Sequence, residues 1–424
     1  MKRLRKSVLP LLACWLAAGP AAARALRLDE ALALAYGRNH DLKSAAIAVD
    51  SAAAAVTSAA AAPNPVLTLQ TMNINPAAGI GSGPLRSKTV DSAVRVDQLI
   101  ERGGKRRLRA AAAGQLEQAA RFDLADARRQ LGRDVAGAYY DLLAAQRRAA
   151  IAADSAALAD HAMQAAETRR RAGDLAGADT ARLRIDTLRV HNDADDAAAD
   201  LDQARRALAL LLGLDDAAAL SAAGDWPTAL PPPAVLDAAM GDAIEARADV
   251  AAARARVQAA RTAHELALAG RTRDLTVGVQ LDHYPATAAN PQGSGNSIGV
   301  SVQVPLFVRY AMQGEIRSAA AALDTAEENL ARTRQHARAE IGKARAQAEA
   351  GARRVERYDG ELLPAARKAD DTAEFAFAHG AIGVMDVLDV RRAWRAAQLD
   401  ALAAHADFAK SLAALDAALS REHP

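Results

Sequence analysis

The chain carries one pattern of elements twice. The stretch HDLKSAA begins at His40, and the similar stretch ADVAAAR begins at Ala248, 208 residues later. Gly173 and Gly380 stand in matching glycine-rich turns 207 residues apart. A spacing kept over half of a chain indicates duplication, so the chain must fold as two similar halves. We expect a first repeat over 26–225, a proline-rich linker over 226–233 and a second repeat over 234–424.

Each half contains two short stretches in which apolar and polar side chains alternate, inside a chain of otherwise helical composition. In NSIGVSVQVPLF, the polar series begins at Ser297 and the apolar series at Ile298. Alternation of this kind is typical of a β-strand with one apolar face. The pattern predicts strands at about 66–73, 89–99, 274–284 and 296–307, which pair as two hairpins. The apolar series of the last strand is Ile298, Val300, Val302 and Val304.

The strands suit two environments equally well when only their alternation is considered. A half-buried sheet of a soluble protein is one, and a membrane-spanning sheet is the other, because lipid-spanning strands need about 9–11 residues. In lipid only a closed barrel satisfies every backbone group, and the smallest membrane barrels have about eight strands. Four strands therefore require several chains, and three copies would supply twelve. In that arrangement the apolar series of the last strand faces lipid.

Long helices account for most of the chain. Amphipathic helices are predicted over 28–62 and 234–269, ahead of each hairpin. After each hairpin, 105–171 and 313–379 read as very long helices, and Pro364 is the only proline within them. A helix of about 65 residues spans about 100 Å. The expected fold is mostly α with a small β part, built from a duplicated helix–hairpin–long-helix unit.

The first 25 residues have the layout of a secretory signal. A basic segment is followed by an apolar run from Val8 to Ala18 and by small residues up to Ala25. We expect the mature chain to begin at Leu26, outside the cytoplasm. Cys14, the single cysteine, lies in the expected signal, so the mature chain would hold no disulfide or zinc–thiolate site. Its context LLAC leaves lipidation open, although a cysteine in a discarded peptide is the simpler interpretation.

The composition argues against nucleic-acid binding and catalysis. Lys and Arg number 53 against 51 Asp and Glu, so no bulk charge favours a nucleic-acid partner. The sequence GGKRR at Gly103 lacks the spacing and the Ser or Thr of a phosphate-binding loop. The acidic run from His191 to Asp200 could hold a cation weakly, but it reads more simply as a solvated helix face. We expect no enzyme activity, no cofactor and no resident metal.

Three segments resemble the TolC-type outer-membrane efflux family, and the similarity extends over essentially the whole mature length. GAIGVMDVLDVRRAWRAAQ over 380–398 is similar to the tip of the second periplasmic helix pair, and AGDLAGADTARLRID over 172–186 is its partner in the first copy. VDQLIERGGKRRLRAA over 96–111 resembles the segment after the first hairpin in the cobalt–zinc–cadmium branch.

The resemblance implies a homotrimer whose 12-stranded outer-membrane β-barrel continues into a periplasmic α-helical tunnel. It also implies an inner-membrane pump of the resistance–nodulation–division class and a periplasmic adaptor, in a Gram-negative bacterium. The implied function is a passive efflux conduit, with heavy-metal cations as the expected cargo. Export of drugs and type I protein secretion remain alternatives. A soluble periplasmic coiled-coil scaffold is the alternative from a different class.

The resemblance places the constriction of the tunnel at Asp386 and Asp389. Residues at i and i+3 share a helix face, and threefold carboxylate rings favour cations; alternatively, Asp386 caps a helix that starts near Gly383. In the first copy Asp179 matches Asp386, but Arg182 replaces the second aspartate, and we hypothesise that Arg182 contacts an aspartate of a neighbouring hairpin. The expected adaptor-docking residues are Gly173, Asp174, Leu175, Gly380, Ala381 and Ile382.

Overall fold

The structure is a computed structural model that describes residues 24–72, 74, 90–218, 220–286 and 295–420. Nearly all of the expected signal segment, with Cys14, lies outside the described residues. The same holds for most of the two hairpin loops, over 73, 75–89 and 287–294.

The main helices and the hairpins follow the same order in both halves, whereas two short strands and a π turn each occur in one half only. The first half contains β1 (Arg24–Leu26), α1 (Leu28–Arg38), α2 (His40–Ala60), β2 (Val66–Met72), β3 (Asp91–Ile100), α3 (Lys105–Ala172), α4 (Gly177–Leu212) and β4 (Leu220–Ala222). The second half contains α5 (Pro233–Ala246), α6 (Ala248–Ala269), β5 (Leu275–Tyr284), β6 (Gly295–Gln303), α7 (Gln313–Arg357), a π turn (Tyr358–Leu362), α8 (Leu363–Ala378) and α9 (Val384–Ala418). Among the described residues, no helix is both long enough and apolar enough to span a membrane.

The long helices end where the sequence predicts. The 68 residues of α3 extend about 100 Å without interruption. In the second half the corresponding helix is divided into α7 and α8 by the π turn, and Pro364 stands in the first turn of α8. Proline has no amide hydrogen to donate to the preceding turn, which explains why the regular helix is interrupted there.

Four strands form one antiparallel sheet in the order β2–β3–β5–β6. Both predicted hairpins are present, and β3 pairs with β5 to join the two halves. The last predicted strand is too long: β6 ends at Gln303, which pairs with Thr276, and Val304 lies beyond it. Pro305 has no amide hydrogen and restricts the backbone of Val304, so the ladder stops there.

The two amphipathic helices that were expected to be continuous are each broken once. Asn39 separates α1 from α2, and Arg247 separates α5 from α6 at the matching position of the second half. Both side chains are buried, and both donate to a backbone carbonyl at the end of the return helix of the same half. The amide of Asn39 bonds the carbonyl of Leu211 at 3.0 Å, and the guanidinium of Arg247 bonds that of Ala418 at 3.3 Å.

The break residues differ in how they are stabilised. Asn39 caps α2, because its side-chain oxygen accepts a hydrogen bond from the amide of Leu42. Arg247 is only 1% exposed and is neutralised by Asp249 and Glu340, at 2.8 and 2.7 Å. A buried guanidinium is tolerated only with such partners. These long-range contacts explain why continuous helical composition does not give a continuous helix here.

The core lies near the middle of the helices, beside the linker. Trp226 of the expected linker stacks between Tyr140 of α3 and His405 of α9, with ring centres 5.9 and 6.0 Å apart. Tyr139 donates a hydrogen bond to the carbonyl of Ala223, and burial raises the pKa of Tyr139 to about 12. The linker therefore packs against helices of both halves and holds them together.

Candidate functional site at the helix tips and the sheet

The turns that join the long helices have the same geometry in both halves. Gly173 ends α3 with φ of 86°, and Gly380 follows α8 with φ of 72°. In each turn, the amide of the next residue donates to a helix carbonyl five positions back, from Asp174 to Arg169 and from Ala381 to Ala376. The left-handed backbone favours glycine over residues with a Cβ. Both glycines are exposed, so the turns form free tips.

Asp386 caps the helix that follows the second tip. Its Oδ2 accepts a hydrogen bond of 3.1 Å from the amide of Gly383, which immediately precedes α9. The capping interpretation of Asp386 therefore describes its contact within one chain. Its side chain is exposed at the tip.

Asp389 takes part in a contact between the two halves. One guanidinium, that of Arg392, donates to Asp389 at 3.1 Å and to Asp186 of α4 at 2.6 and 3.0 Å. The side chain of Asp186 is only 13% exposed, whereas that of Asp389 is 70% exposed. Arg392 therefore links α9 to α4, and the buried partner is the aspartate of the first half. Sequence reasoning missed Arg392 and Asp186, although Arg392 lies three residues after Asp389.

Arg182 lies beside Asp179 of its own helix, at 3.8 Å, with both side chains at least 36% exposed. A pair at this distance and exposure contributes little to stability. Within one chain the structure does not bring Arg182 to Asp386 or Asp389, so the hypothesised contact would have to form between chains.

A cleft of about 290 Å³ lies between the two helix pairs, above the tips. Asp186 and Asp370 line it together with Arg391, Arg392 and Arg395 of α9. Burial raises the pKa of Asp370, and its Oδ1 has no hydrogen-bond partner among the described residues. The cleft thus places one poorly solvated carboxyl group among three arginines.

The sheet has one apolar face and one polar face. Eight apolar side chains form two rows across all four strands, and each is between 38% and 77% exposed in the single chain: Leu67, Leu69, Val94, Val96, Val279, Leu281, Ile298 and Val300. On the other face Arg95 forms an ion pair with Asp97 and donates to Ser301. Gly278 leaves room for this group, since a Cβ there would lie 2.6 Å from the hydroxyl of Ser301.

The acidic run on α4 is paired at three positions. His191 contacts Asp160 at 2.9 Å, Asp193 contacts Arg395 at 3.6 Å, and Asp200 contacts Arg148 at 3.1 Å. In the part of the chain that the structure describes, no three potential metal ligands from His, Cys, Asp and Glu lie together. The run is therefore a solvated helix face that is paired in part, since Asp195 and Asp196 are exposed and form no salt bridge with a described residue.

Comparison with known proteins identifies the family. The family model described as "Outer membrane efflux protein" matches residues 31–214 and 239–421. The chain belongs to the outer membrane efflux protein family. The two matches begin 208 residues apart, which agrees with the repeat spacing. The family predicted from the sequence is therefore confirmed.

This efflux protein is also similar to individual relatives along most of its length. It is 29% identical over 380 residues to the cobalt-zinc-cadmium resistance protein CzcC of Cupriavidus metallidurans, over 89% of this chain and 84% of that protein. Two solved structures share its fold. The outer-membrane channel OprN is 20% identical with a TM-score of 0.76, over 93% of this chain and 90% of that one. The CmeC outer membrane channel of Campylobacter jejuni is 17% identical with a TM-score of 0.75, over 92% and 85%. The predicted fold class is confirmed.

Proposed function

We propose that this efflux protein acts as a homotrimeric, passive conduit across the outer membrane of a Gram-negative bacterium. The observation that carries the proposal is the sheet, whose exposed apolar rows cross every strand and whose opposite face is polar. Its two outer strands, β2 and β6, have no strand partner on their outer edges within the described chain. Pairing β2 of one chain with β6 of the next in a ring of three would close twelve strands and leave no edge.

The apolar rows also indicate which solvent the sheet faces. Burying a Val, Leu or Ile side chain contributes about 1.5–3 kcal/mol, so eight partly exposed side chains represent on the order of 10 kcal/mol. In a soluble scaffold these side chains would stay exposed to water, whereas lipid would cover them and provide that stabilisation. With the apolar rows in lipid, the face that carries Arg95 and Asp97 lines the lumen.

We assign the constriction to the second tip. The capping bond of Asp386 uses one carboxylate oxygen, and the side chain of Asp389 is 70% exposed. Three copies of each would place carboxylate rings in the bore, and such rings favour cations. The free turns at Gly173 and Gly380 are the proposed contact surface for a periplasmic adaptor, which connects the conduit to an inner-membrane pump that supplies the energy.

We propose heavy-metal cations as the cargo. The support is the similarity to a relative named for cobalt, zinc and cadmium resistance and the carboxylates at the tip. A host that lacks its own conduit should regain resistance to these cations when this protein is expressed with its pump and adaptor. Regained resistance to organic dyes instead would favour a drug-efflux conduit.

Single-channel conductance in planar bilayers tests the conduit directly. The purified protein should form cation-selective pores that multivalent cations block, and Asp386→Ala/Asp389→Ala should abolish the block. Pores with unchanged block in the double variant would place the constriction elsewhere. A protein that stays soluble without detergent and forms no pore would refute the conduit and favour the scaffold. Arg182→Ala should change the conductance only if Arg182 reaches an aspartate of a neighbouring chain.

A further inference from the structure

The end of the sheet where strands pass into the long helices carries a concentration of positive charge. Nine Lys and Arg residues and three carboxylates lie in the segments 101–109, 271–274 and 309–317, a net charge of +6 against +2 for the whole chain. The three segments are neighbours in space. Lys105 bonds the carbonyl of Thr272 and the carboxylate of Asp274, and the guanidinium of Arg273 lies 5.8 Å from the ring centre of Phe307, two residues before the third segment.

The carboxylates of these segments are occupied by partners within the same chain. Glu101 is held by Arg109 at 2.7 Å, and Asp274 is held by Lys105 at 2.8 Å. Arg109 lowers the pKa of Glu101, which keeps that carboxylate charged in the pair. The third carboxylate, Glu315, accepts a hydrogen bond from the hydroxyl of a tyrosine.

Seven exposed arginines of these segments form no salt bridge with any described residue: Arg102, Arg106, Arg107, Arg271, Arg273, Arg309 and Arg317. We call five of them, Arg106, Arg107, Arg271, Arg273 and Arg309, the basic junction. The guanidinium of Arg273 lies over the ring of Phe307, and none of the five forms an ion pair with a described residue, so the structure leaves their charges available to an anion from outside the chain.

The start of α3 supports an external partner. Helices favour acidic side chains in the first turn, because the N-terminus carries partial positive charge. The helices α1, α2, α4, α6, α7 and α9 each have an acid there. The first turns of α3, α5 and α8 have none, and that of α3 begins with three basic residues, Lys105–Arg106–Arg107. Basic residues at this position oppose the helix dipole, and an external anion would offset that repulsion.

The basic junction lies beside exposed apolar side chains. Leu306, Val308 and Tyr310 follow β6 and are 69%, 83% and 50% exposed. The apolar rows of the sheet lead directly to them along the chain, whereas the helices beyond are covered with charges. An apolar band bordered by a tyrosine and by arginines is the arrangement that proteins present at the boundary between lipid tails and head groups.

We infer that the basic junction binds the phosphate head groups of anionic phospholipids in the periplasmic leaflet of the outer membrane. The inference rests on the proposed function, which places the sheet in lipid. Arginine suits this partner because its planar fork donates two hydrogen bonds to a phosphate. The junction would fix the depth of the sheet in the bilayer and the height at which the tunnel leaves it.

Native mass spectrometry of the purified protein with added lipid tests the inference. The wild type should retain phosphatidylglycerol in preference to phosphatidylcholine. Arg106→Gln/Arg271→Gln/Arg309→Gln removes one arginine from each segment. Each basic residue near an anionic surface contributes about fivefold to binding, so the affinity for phosphatidylglycerol should fall on the order of 100-fold.

A matched variant controls for the loss of charge. Arg189→Gln/Arg353→Gln/Arg367→Gln also removes three exposed arginines, all of them on the helices, and should bind phosphatidylglycerol as the wild type does. Equal retention of both lipids by the wild type, or equal loss in the two triple variants, would overturn the inference. Displacement of the lipid by excess inorganic phosphate would overturn it too, since the site would then bind free phosphate.

Conductance separates this inference from the proposed function. In phosphatidylcholine bilayers the wild type and the Arg106→Gln/Arg271→Gln/Arg309→Gln variant should form the same pores. If the wild type forms pores but retains both lipids equally, lipid binding by the basic junction is refuted and the conduit is not. If the wild type forms no pores, the conduit is refuted as well.

Discussion

The contact between Arg392 and Asp186 should set how readily the tunnel end opens. Widening that end by moving the α8–α9 pair away from the α3–α4 pair breaks this contact in each chain. Arg392→Gln removes the charge and leaves Asp186, which is only 13% exposed, without its cation. We therefore expect Arg392→Gln to favour the open tip.

The exposure of the contacts of Arg392 sets the size of the free-energy change expected for Arg392→Gln. A hydrogen bond to a charged group contributes about 1.5–3 kcal/mol when it is shielded, and an exposed ion pair contributes at most about 1 kcal/mol. Arg392 itself is 41% exposed, and its contact with Asp389 is the more exposed of its two contacts. We expect a loss of about 1–2 kcal/mol per chain, which shifts a two-state equilibrium by roughly 5–30-fold.

Open probability of single channels in planar bilayers measures this shift. Arg392→Gln should raise it, and Asp186→Asn should raise it by a similar factor. The double variant should add little to either single variant, because the two changes remove the same contact. Arg189→Gln, which removes an exposed arginine of α4 that has no described ion pair, should leave it unchanged. Additive effects of the two single variants, or an equal effect of Arg189→Gln, would refute the link between the halves.

Three further changes test the sheet, the tip and the cleft. Val300→Arg places a charge on the apolar face and should cost about 2–4 kcal/mol of insertion free energy, so less protein reaches the outer-membrane fraction. Ser297→Arg places the same charge on the polar face and should not reduce the amount in that fraction. Equal losses for the two variants would refute the assignment of the faces. Gly380→Ala forces an alanine into a left-handed backbone conformation and should lower the free energy of unfolding by about 1–2 kcal/mol. Gly342→Ala, in the exposed middle of α7, should not lower it. Equal midpoints of chemical denaturation for the two variants would contradict backbone strain at position 380. Burial raises the pKa of Asp370 in the folded chain above its ordinary value of about 4. The folded chain therefore holds this proton more tightly than the unfolded chain does, and stability falls as the pH rises from about 4 through the raised pKa. Asp370→Asn should therefore raise Tm at neutral pH, and the gain should vanish below about pH 4; a gain that persists at low pH would have another cause.

Local patterns were sufficient for the four strands of the antiparallel sheet and for the long helices, but they did not predict the short strands β1 and β4. Alternation located the four strands, and helical composition located the long helices, because each pattern depends on neighbours a few residues away. The repeat spacing then predicted that the second half copies the first. The strand end at Gln303 was missed, although Pro305 was a visible signal for it.

The sequence could not show where the helices would break. Asn39 is recognisable as a helix cap, but Arg247 is not, since its partners Glu340 and Ala418 lie 93 and 171 residues away. Only the packed chain brings those groups to the guanidinium, and burial then makes the contact obligatory.

The candidate site also combines features that the sequence predicts with contacts that only the structure shows. The glycine tips and the cap at Asp386 follow from local sequence, because a left-handed turn and a helix start are requirements that few residue types meet. The constriction at Asp386 and Asp389 was implied only by the family resemblance. The link from Arg392 to Asp186 joins residues 206 positions apart. So many charged side chains lie on these helices that their pairing cannot be deduced from composition. The sequence by itself determined the repeated elements and their turns, and the tertiary structure decided which charges meet across the two halves, because that depends on how the packed helices are aligned.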